Sequence, residues 1–394
     1  MKLLAIETSC DETAVTLLEA EGDESSARFR ILGNALLSQI DIHREFGGVF
    51  PAIAKREHAK NLVAQMHAAL AEADMLREEA CPLTAEDNEM LRTLLSREPE
   101  LADALIAFLS AYAKPDIDAI AVTHGPGLEP ALWVGVNFAR ALARAWQLPI
   151  APVNHMEGHL LSALATPGAD DPRTFSHASI ELPVLGLLIS GGHTELVAMD
   201  EWLSYRLIGQ TRDDAVGEAY DKVARMLGLP YPGGPEVSNL AEAARAHENQ
   251  TLPKLPRPML SDPTCDFSFS GLKTAVLYLV KDRSLTLAEK EEIAHSFEEA
   301  VAEVLWKKTA QALEETGART LALGGGVSAN ANLRRVFAKR IAKEHPEVTL
   351  YLPEFRFTTD NAIMIGIAGF YRARAGRLAD PDTLAASGTL ALAA

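Results

Sequence analysis

The sequence predicts an α/β protein made of two comparable lobes with a ligand cleft between them. Three observations predict this fold class: strand-like apolar runs occur in two series, helical patterns separate the later runs of each series, and both series carry matching turns. In each series, three closely spaced runs predict a hairpin-linked meander, and the later runs predict crossover units.

The first series predicts five strands, at residues 3–8, 14–18, 31–37, 117–123 and 150–153. The second series predicts five more, at residues 184–189, 195–199, 205–209, 320–323 and 349–352. The main helical patterns occupy residues 130–146, 215–227, 290–316 and 331–344.

Matching turns support a duplication. The first strand of each series ends in a polar turn, ETSCD at 7–11 and SGGHT at 190–194, and a later strand ends in a glycine loop, HGPG at 124–127 and GGG at 324–326. The final strand of each series leads to a helix start with a metal-capable side chain, His155 in one and Asp360 in the other. Because the halves share negligible sequence identity, the inference rests on order and spacing.

These patterns divide the chain into a first lobe at 1–175 and a second lobe at 176–394. Whether the C-terminal helix packs back on the first lobe stays open. An acidic helical insertion is expected near 70–114. Its residues 70–101 include nine acidic and three basic side chains, which argues against contact with a phosphate backbone.

Composition excludes several classes of protein. Hydrophobic residues make up 48% of the 394 residues and charged residues 23%, as in ordinary globular proteins. No apolar run is long enough to span a membrane. Three scattered cysteines are too few for a disulfide scaffold or a thiolate zinc site. We therefore expect a cytoplasmic protein that has no membrane partner.

The net charge of −17 argues against a surface that binds nucleic acid over its whole extent. Basic residues do cluster locally, and a solvated helix face is the simpler interpretation. The cluster consists of Arg334, Arg335, Lys339, Arg340 and Lys343, and a smaller group consists of Lys55, Arg56 and Lys60.

The glycine loops at 190–192 and 324–326 predict an anion-binding or nucleotide-binding site. Glycine lets backbone N–H groups approach a phosphate closely, and the helix that begins near Ser328 directs its N-terminus at the same space. A tight structural turn is the alternative for either loop alone. Neither loop matches the Walker or GxGxxG pattern, which argues against P-loop and Rossmann chemistry.

His155 and His159 are four residues apart, so on a helix they share one face and reach one metal ion. Two capping or core histidines are the alternative. If the lobes face each other, Asp360 completes a set of two histidines and one carboxylate, which suits iron(II) or zinc. A metalloprotease is disfavoured, because Glu157 lies about 200° around the helix from His155.

Three further segments offer weaker signals. Asp221 is a candidate for binding ribose hydroxyls through its carboxylate, and an exposed acidic residue on a helix is the alternative. Cys10 has no neighbouring histidine to activate it, so a buried cysteine is favoured over a nucleophile. The residue types of FSFSGLKT at 267–274 indicate no particular chemistry.

Nine segments, in the same order, resemble those of the TsaD family, the bacterial tRNA threonylcarbamoyladenosine transferases formerly known as O-sialoglycoprotein endopeptidases. The segments are IETSCDET, HREFGGV, GPGLEPALWVG, NHMEGH, SGGHTEL, GEAYDKVARMLGLPYPGGP, FSFSGLKTA, GGGVSANANLR and TTDNAIMIG. The chain is identified as a member by this order, which runs from Leu3 to about Gly369. Its acidic insertion is longer than in typical members.

The resemblance implies an actin-like, Hsp70-type fold with two ribonuclease-H-like lobes. It implies that His155, His159 and Asp360 hold one divalent metal, with Fe(2+) favoured and Zn(2+) as the alternative. It also implies a pocket for threonylcarbamoyl-AMP. The implied pocket residues are Leu188, Ile189, Ser190, Gly191, Gly192, Asp221, Gly234 and Asn330.

The implied activity is transfer of the threonylcarbamoyl group to N6 of the adenosine 3′ of the anticodon, in tRNAs that read codons beginning with A. The implied partners are tRNA, a TsaB-like paralogue and a TsaE-like ATPase. Asp11 is our candidate proton acceptor, because it lies at the first-lobe turn expected to face the cleft. An actin-like-fold ATPase or small-molecule kinase is one alternative, and a non-catalytic scaffold is another. The scaffold should lack the metal ligands.

Overall fold

The chain folds as two units in the computed structural model, which describes residues 1–178, 180–247 and 253–393. The first unit contains Met1–Ser179 and Asp360–Leu392, and the second contains Ile180–Thr359. Across these described stretches, no helix combines the length and the apolar character that a membrane crossing requires.

The first unit is built on one mixed sheet. Its strands are β1 (Lys2–Glu7), β2 (Glu12–Asp23), β3 (Ser26–Ser38), β4 (Ala119–Gly125), β5 (Ile150–Asn154), β6 (Thr166–Pro167) and β7 (Thr174–Ala178). They lie in the order β5-β4-β1-β2-β3-β7-β6. β1, β2 and β3 form an antiparallel meander, whereas β4 pairs parallel with β1 and β5 pairs parallel with β4.

Burial along these strands follows their place in the sheet. β1 and β4 are buried along nearly their whole length, as expected of central strands covered on both faces. β3 instead alternates, with Phe29 and Ile31 buried and Arg28 and Arg30 exposed, because successive side chains point to opposite faces of a strand.

The helices that follow in the first unit are α1 (Ile40–Arg44), α2 (Pro51–Glu72), α3 (Ala85–Leu94), α4 (Pro99–Ala111), α5 (Glu129–Trp146) and α6 (His155–Ala163). The predicted acidic insertion contains α3 and α4. α3 begins with a reciprocal capping box between Thr84 and Asp87. Leu91 and Leu95 are fully buried in the core of this unit, so the insertion packs as part of the unit.

The second unit is built on a separate sheet. Its strands are β8 (Val184–Ile189), β9 (Thr194–Glu201), β10 (Ser204–Gln210), β11 (Thr320–Gly324) and β12 (Thr349–Tyr351), in the order β10-β9-β8-β11-β12. β8, β9 and β10 form an antiparallel meander, and β11 pairs parallel with both β8 and β12. When this sheet is listed from its other edge, β12-β11-β8-β9-β10, its strands match β5-β4-β1-β2-β3 of the first sheet in order and direction. The match confirms the predicted duplication.

The helices of the second unit are α7 (Val216–Met226), α8 (Gly233–Arg245), α9 (Ser270–Val280), α10 (Leu287–Thr316) and α11 (Ala331–Glu344). Short 3-10 turns lie at Gly326–Ala329 and Phe355–Phe357. The 30-residue α10 has clear sequence boundaries. Thr286 and Glu289 form a capping box at its start, and Gly317 ends it with a left-handed φ of 64°.

The final helix, α12 (Ala362–Arg374), belongs to the first unit and packs against β1, β2 and β4. Gly369 lets it lie close to the sheet, because a Cβ there would collide with the methyl group of Ala121. The segment after α12 is also held, since Arg144 of α5 forms an ion pair with Asp382.

An aromatic cluster joins β3, β7 and α12. Phe29 stacks on Phe175 with ring centroids 5.2 Å apart, and His177 stacks on Tyr371. Nδ1 of His177 lies 2.8 Å from the Tyr371 hydroxyl oxygen. Burial lowers the pKa of His177 to about 3, so this imidazole is neutral in the folded protein at neutral pH.

Candidate functional site

α6 places two histidines on one face. β5 ends at Asn154, whose side-chain oxygen accepts hydrogen bonds from the N–H groups of Met156 and Glu157 at 2.9 and 3.4 Å. This cap starts the helix at His155. His159 follows one turn later, and the two ring centroids are 4.6 Å apart.

Asp360, which is partly buried, forms a cluster with these two buried histidines. It directly precedes Asn361, the N-cap of α12. Its Oδ1 lies 3.3 Å from Nε2 of His155 and 3.2 Å from Nε2 of His159. The three ligand atoms are all within 4.8 Å of one another. The structure thus brings the three predicted metal ligands together, all of them in the first unit.

The electrostatics of the cluster favour a positive charge at its centre. Burial alone would raise the pKa of Asp360, but the neighbouring imidazoles hold it well below its usual range. For His155, burial opposes the charged form, yet Asp360 and Glu7 raise its pKa well above normal. Burial lowers the pKa of His159. Two imidazole nitrogens and one carboxylate oxygen suit a divalent transition metal with open positions, so the residues fit a resident metal ion.

Glu157 is engaged elsewhere. It is fully buried and forms an ion pair with Arg372 of α12. Its carboxylate is therefore committed to holding α6 against α12, which supports the argument against metalloprotease chemistry.

Further acidic groups lie near the metal-ligand cluster. Asp11 is largely buried in the turn between β1 and β2. Burial raises the pKa of Glu12, and Asp360 and Asp11 add to the effect. Burial also raises the pKa of the Cys10 thiol well above normal, with Asp11 and Asp360 contributing. Cys10 is thus partly buried rather than buried as predicted, and its raised pKa disfavours the thiolate that a nucleophile requires.

The second unit contains a cavity of about 440 Å³. Four residues that the resemblance assigned to ligand binding line it, namely Gly191, Asp221, Gly234 and Asn330. The other lining residues are Gly217, Tyr220, Pro232, Pro235, Ser238, Asn239, Glu242, Gly326, Val327, Ala329 and Ala331. The two glycine turns of this unit therefore reach one cavity.

Space distinguishes the glycines of this cavity. A Cβ at Gly191 or Gly234 would meet no heavy atom within 4 Å, whereas a Cβ at Gly217 would lie 2.6 Å from the carbonyl oxygen of Ser190. Close packing therefore requires glycine at position 217, but it does not require glycine at positions 191 and 234. The open space at those two positions is available to a ligand.

Asp221 and Asn330 both support the backbone around the cavity. Oδ1 of Asp221 accepts the N–H of Gly233 at 2.7 Å. Burial raises the pKa of Asp221, and the N–H groups of Gly233 and Gly234 oppose that shift. The Asn330 side chain caps α11 through Leu333 N–H at 2.9 Å and donates to Oε1 of Glu298 at 2.6 Å.

The other predicted binding residues lie in or directly after β8. Leu188 and Ile189 are fully buried within the strand. Oγ of Ser190 accepts the N–H groups of Gly192 and His193 at 3.3 and 3.0 Å. Ser190 therefore stabilises the turn that presents Gly191 and Gly192.

The sequence did not indicate the cavity residues of α8 or the partner of the FSFSG motif. Ser238, Asn239 and Glu242 line the cavity from α8, and helical spacing after the PGGP loop is the signal that links them. The FSFSG motif binds Asp213, which accepts hydrogen bonds from the Ser268 hydroxyl at 2.5 Å and Phe269 N–H at 2.8 Å. That motif fixes the start of α9.

The basic cluster on α11 is only partly available to a partner. Arg334 lies over the Phe355 ring, Arg335 pairs with Glu242, and Arg340 pairs with Glu344. Exposed members without such a pairing among the described residues are Lys339 and Lys343.

The sequence of the chain is similar to that of a known family. Residues 30–80 and 96–367 match the family model described as TsaD: tRNA N6-adenosine threonylcarbamoyltransferase. The unmatched residues 81–95 contain α3 of the acidic insertion. Proteins named tRNA N6-adenosine threonylcarbamoyltransferase from Staphylococcus aureus strains Newman and MRSA252 are 41% and 40% identical over 381 residues. Those alignments cover 96% of this chain and 93% of each relative.

The fold is similar to that of known structures. The crystal structure of T.kodakarensis HypF matches with a TM-score of 0.50 and 12% identity, covering 96% of this chain. The match spans about half of HypF, 49% of that chain. Together with the strand order of both sheets, this likeness confirms the predicted α/β fold of actin-like type, with one ribonuclease-H-like sheet in each unit.

Proposed function

Since the chain belongs to the TsaD family of tRNA N6-adenosine threonylcarbamoyltransferases, we propose roles for its residues in that reaction. The chain transfers a threonylcarbamoyl group to N6 of adenosine in tRNA, as the resemblance implied. The 41% identity over nearly the whole chain carries this conclusion. It does not favour the alternative of an ATPase or small-molecule kinase.

The chemistry defines what the site has to supply. The N6 amine of adenosine is a poor nucleophile because its lone pair is delocalised into the ring. We assign threonylcarbamoyl-AMP as the donor, a mixed anhydride whose leaving group is AMP. The bond from the carbamoyl carbon to the phosphate oxygen breaks, the bond from that carbon to N6 forms, and N6 loses one proton. The protein must therefore orient the donor, exclude water and accept that proton.

The cavity of the second unit is our site for the nucleotide part of the donor. Gly191 and Gly234 leave space beside backbone N–H groups, which suits a phosphate. Asp221 is on α7, and its side chain reaches the start of α8 at Gly233; there its carboxylate would also accept hydrogen bonds from the ribose hydroxyls. Asn330 has a supporting role, because its amide already bonds Glu298 and the start of α11.

His155, His159 and Asp360 are our ligands for one divalent metal. The set of two imidazoles and one carboxylate is typical of iron(II), which we favour, and zinc is the alternative. A bound metal would supply a template and Lewis acid for the acyl oxygens. The presence of all three ligands argues against a non-catalytic scaffold.

Asp11 is our proton acceptor. It is largely buried near Glu12 and the Asp360 cluster, so it lies close to the proposed metal centre. Asp11→Asn should slow single-turnover transfer and leave donor binding intact. Near-normal transfer by this variant would remove Asp11 from the mechanism.

The partners and compartment follow from the same proposal. The substrate is tRNA, modified at the adenosine 3′ of the anticodon, and we expect a TsaB-like paralogue and a TsaE-like ATPase in the cytoplasm. Lys339 and Lys343 are our first candidates for tRNA contact because both are exposed on α11.

Reconstituted transfer tests the function. Purified protein, threonylcarbamoyl-AMP and tRNA are combined with and without the two partners, and modified nucleoside and metal content are measured on the same sample. Modified adenosine that depends on this chain is expected. Rapid ATP turnover by the chain alone, with no nucleoside formed under any condition, would favour the kinase or ATPase alternative instead.

A further inference from the structure

Glu7 is a buried carboxylate to which the proposed mechanism gives no role. It is the last residue of β1 and is fully buried. Its Oε1 accepts the N–H of Ser9 at 2.5 Å, and its Oε2 accepts the Thr123 hydroxyl at 2.6 Å. The same Oε2 lies 3.2 Å from Nδ1 of His155. One side chain thus connects the turn after β1, the end of β4 and the start of α6.

These contacts give Glu7 the character of a hydrogen-bond acceptor. A backbone N–H group can only donate, and the Thr123 hydroxyl has the geometry of a donor. An acceptor beside Nδ1 favours the imidazole tautomer that carries its proton on Nδ1. A histidine that binds a metal must be neutral, and in this tautomer its lone pair is on Nε2, the nitrogen that lies 3.3 Å from Oδ1 of Asp360.

We infer that Glu7 is a positioning residue that fixes His155 in the Nδ1–H tautomer, so that Nε2 is presented to the metal; this inference rests on the proposed metal centre. Metal-binding histidines commonly donate their second N–H to a carboxylate, which orients the ring and raises its basicity. Ser9 reinforces the arrangement, because its Oγ lies 3.2 Å from the same Nδ1.

His159 lacks an equivalent partner. Within the described residues, its Nδ1 is buried and has no hydrogen-bond partner. Both histidines direct Nε2 at Asp360, but of the two only His155 has a hydrogen-bond partner at Nδ1 among the described residues. Glu7 therefore acts on one imidazole of the pair, and its effect should be separable from that of His159.

The test is metal affinity in a conservative variant. Glu7→Gln keeps the size of the side chain but adds an amide that can donate to Nδ1, which would place the proton on Nε2 and block the metal. The matched control is Glu98→Gln, which changes another buried glutamate of the first unit, 2.9 Å from Lys55 and with no contact to the histidines. Chelator-treated full-length protein is titrated with Zn(2+) in competition with an indicator, and unfolding of each metal-free protein is measured in parallel.

A role in positioning predicts zinc affinity about 10–100-fold weaker in Glu7→Gln and unchanged in Glu98→Gln, even if both variants lose stability. Equal affinity in folded Glu7→Gln would overturn the inference and leave the metal centre in place. No zinc binding by the unaltered protein would instead remove the metal centre itself.

A second measurement needs no variant. In the zinc-loaded protein, NMR of ¹⁵N-labelled imidazoles should show the His155 proton on Nδ1 and the metal on Nε2. A metal on Nδ1 of His155 would contradict the inference even if Glu7→Gln failed to fold.

Discussion

Gly234→Ala should stabilise the protein and weaken its binding of nucleotide. Gly234 is the second residue of α8, its backbone lies outside the left-handed region, and a Cβ there would meet no protein atom within 4 Å. The added methyl group therefore enters the cavity that we assign to the donor. The free energy of unfolding should therefore rise while the affinity for the nucleotide falls.

Both magnitudes follow from that geometry. Replacing glycine by alanine at a compatible position stabilises by about 0.4–1 kcal/mol, because the unfolded chain loses freedom. This corresponds to a rise of about 1–4 °C in Tm for a protein or domain of this size. A methyl group in space that a ligand fills costs about 1–3 kcal/mol, which is roughly a 5–150-fold loss of affinity.

Calorimetric titration with AMP and a thermal melt measure the two effects on one preparation. Gly271→Ala is the matched control, because Gly271 is the second residue of α9 and a Cβ there makes an ordinary 3.4 Å contact with Pro258. It should give a similar gain in Tm with unchanged affinity. If Gly234→Ala binds AMP as tightly as the unaltered protein, the cavity does not hold the nucleotide.

Three further predictions concern the metal, acid stability and tRNA. His159→Ala should abolish bound metal, measured by elemental analysis after purification; full metal content would contradict the ligand set. His177 has a folded pKa of about 3 against 6.5 when unfolded, so it stabilises the fold above pH 6.5 and this contribution is lost as pH falls towards 3. The loss at pH 4.5 is about 3 kcal/mol, and His177→Phe should make the free energy of unfolding less dependent on pH in denaturant titrations; an unchanged pH dependence would disprove the assignment. Lys339→Glu combined with Lys343→Glu should lower tRNA affinity and reduce the salt dependence of that affinity. If the double variant binds tRNA as tightly as the unaltered protein at every salt concentration, tRNA binds to another surface.

The sheets could be predicted because their central strands are continuous apolar runs. β8 was predicted at its observed residues, and β1 and β11 within one residue at each end. β6 and β7 were missed, because Thr166–Pro167 and Thr174–Ala178 are short strands at one end of the sheet and contain no apolar run. The sequence also left open which lobe α12 joins, since an apolar helix carries no signal for the sheet that it covers.

The candidate metal centre was accessible to sequence reasoning because imidazoles four residues apart leave a helical signature. Glu7 was not, because a glutamate at the end of a strand has the same pattern whether it faces solvent or a histidine. The bond between Asn330 and Glu298 was equally hidden, since 32 residues separate the partners. Contacts of this kind depend on tertiary packing, which local patterns do not encode.

The position of Asp360 in the chain has a consequence for biosynthesis. His159 and Asp360 are 201 residues apart, so at about 5–20 residues per second the ribosome adds the carboxylate roughly 10–40 s after the imidazoles. A nascent chain therefore carries an incomplete ligand set for most of its elongation. Proteolysis ahead of α12 would likewise leave two imidazoles without their carboxylate. A protein that retains the metal has therefore been synthesised past Asp360 and still carries the segment that contains Asp360 and α12.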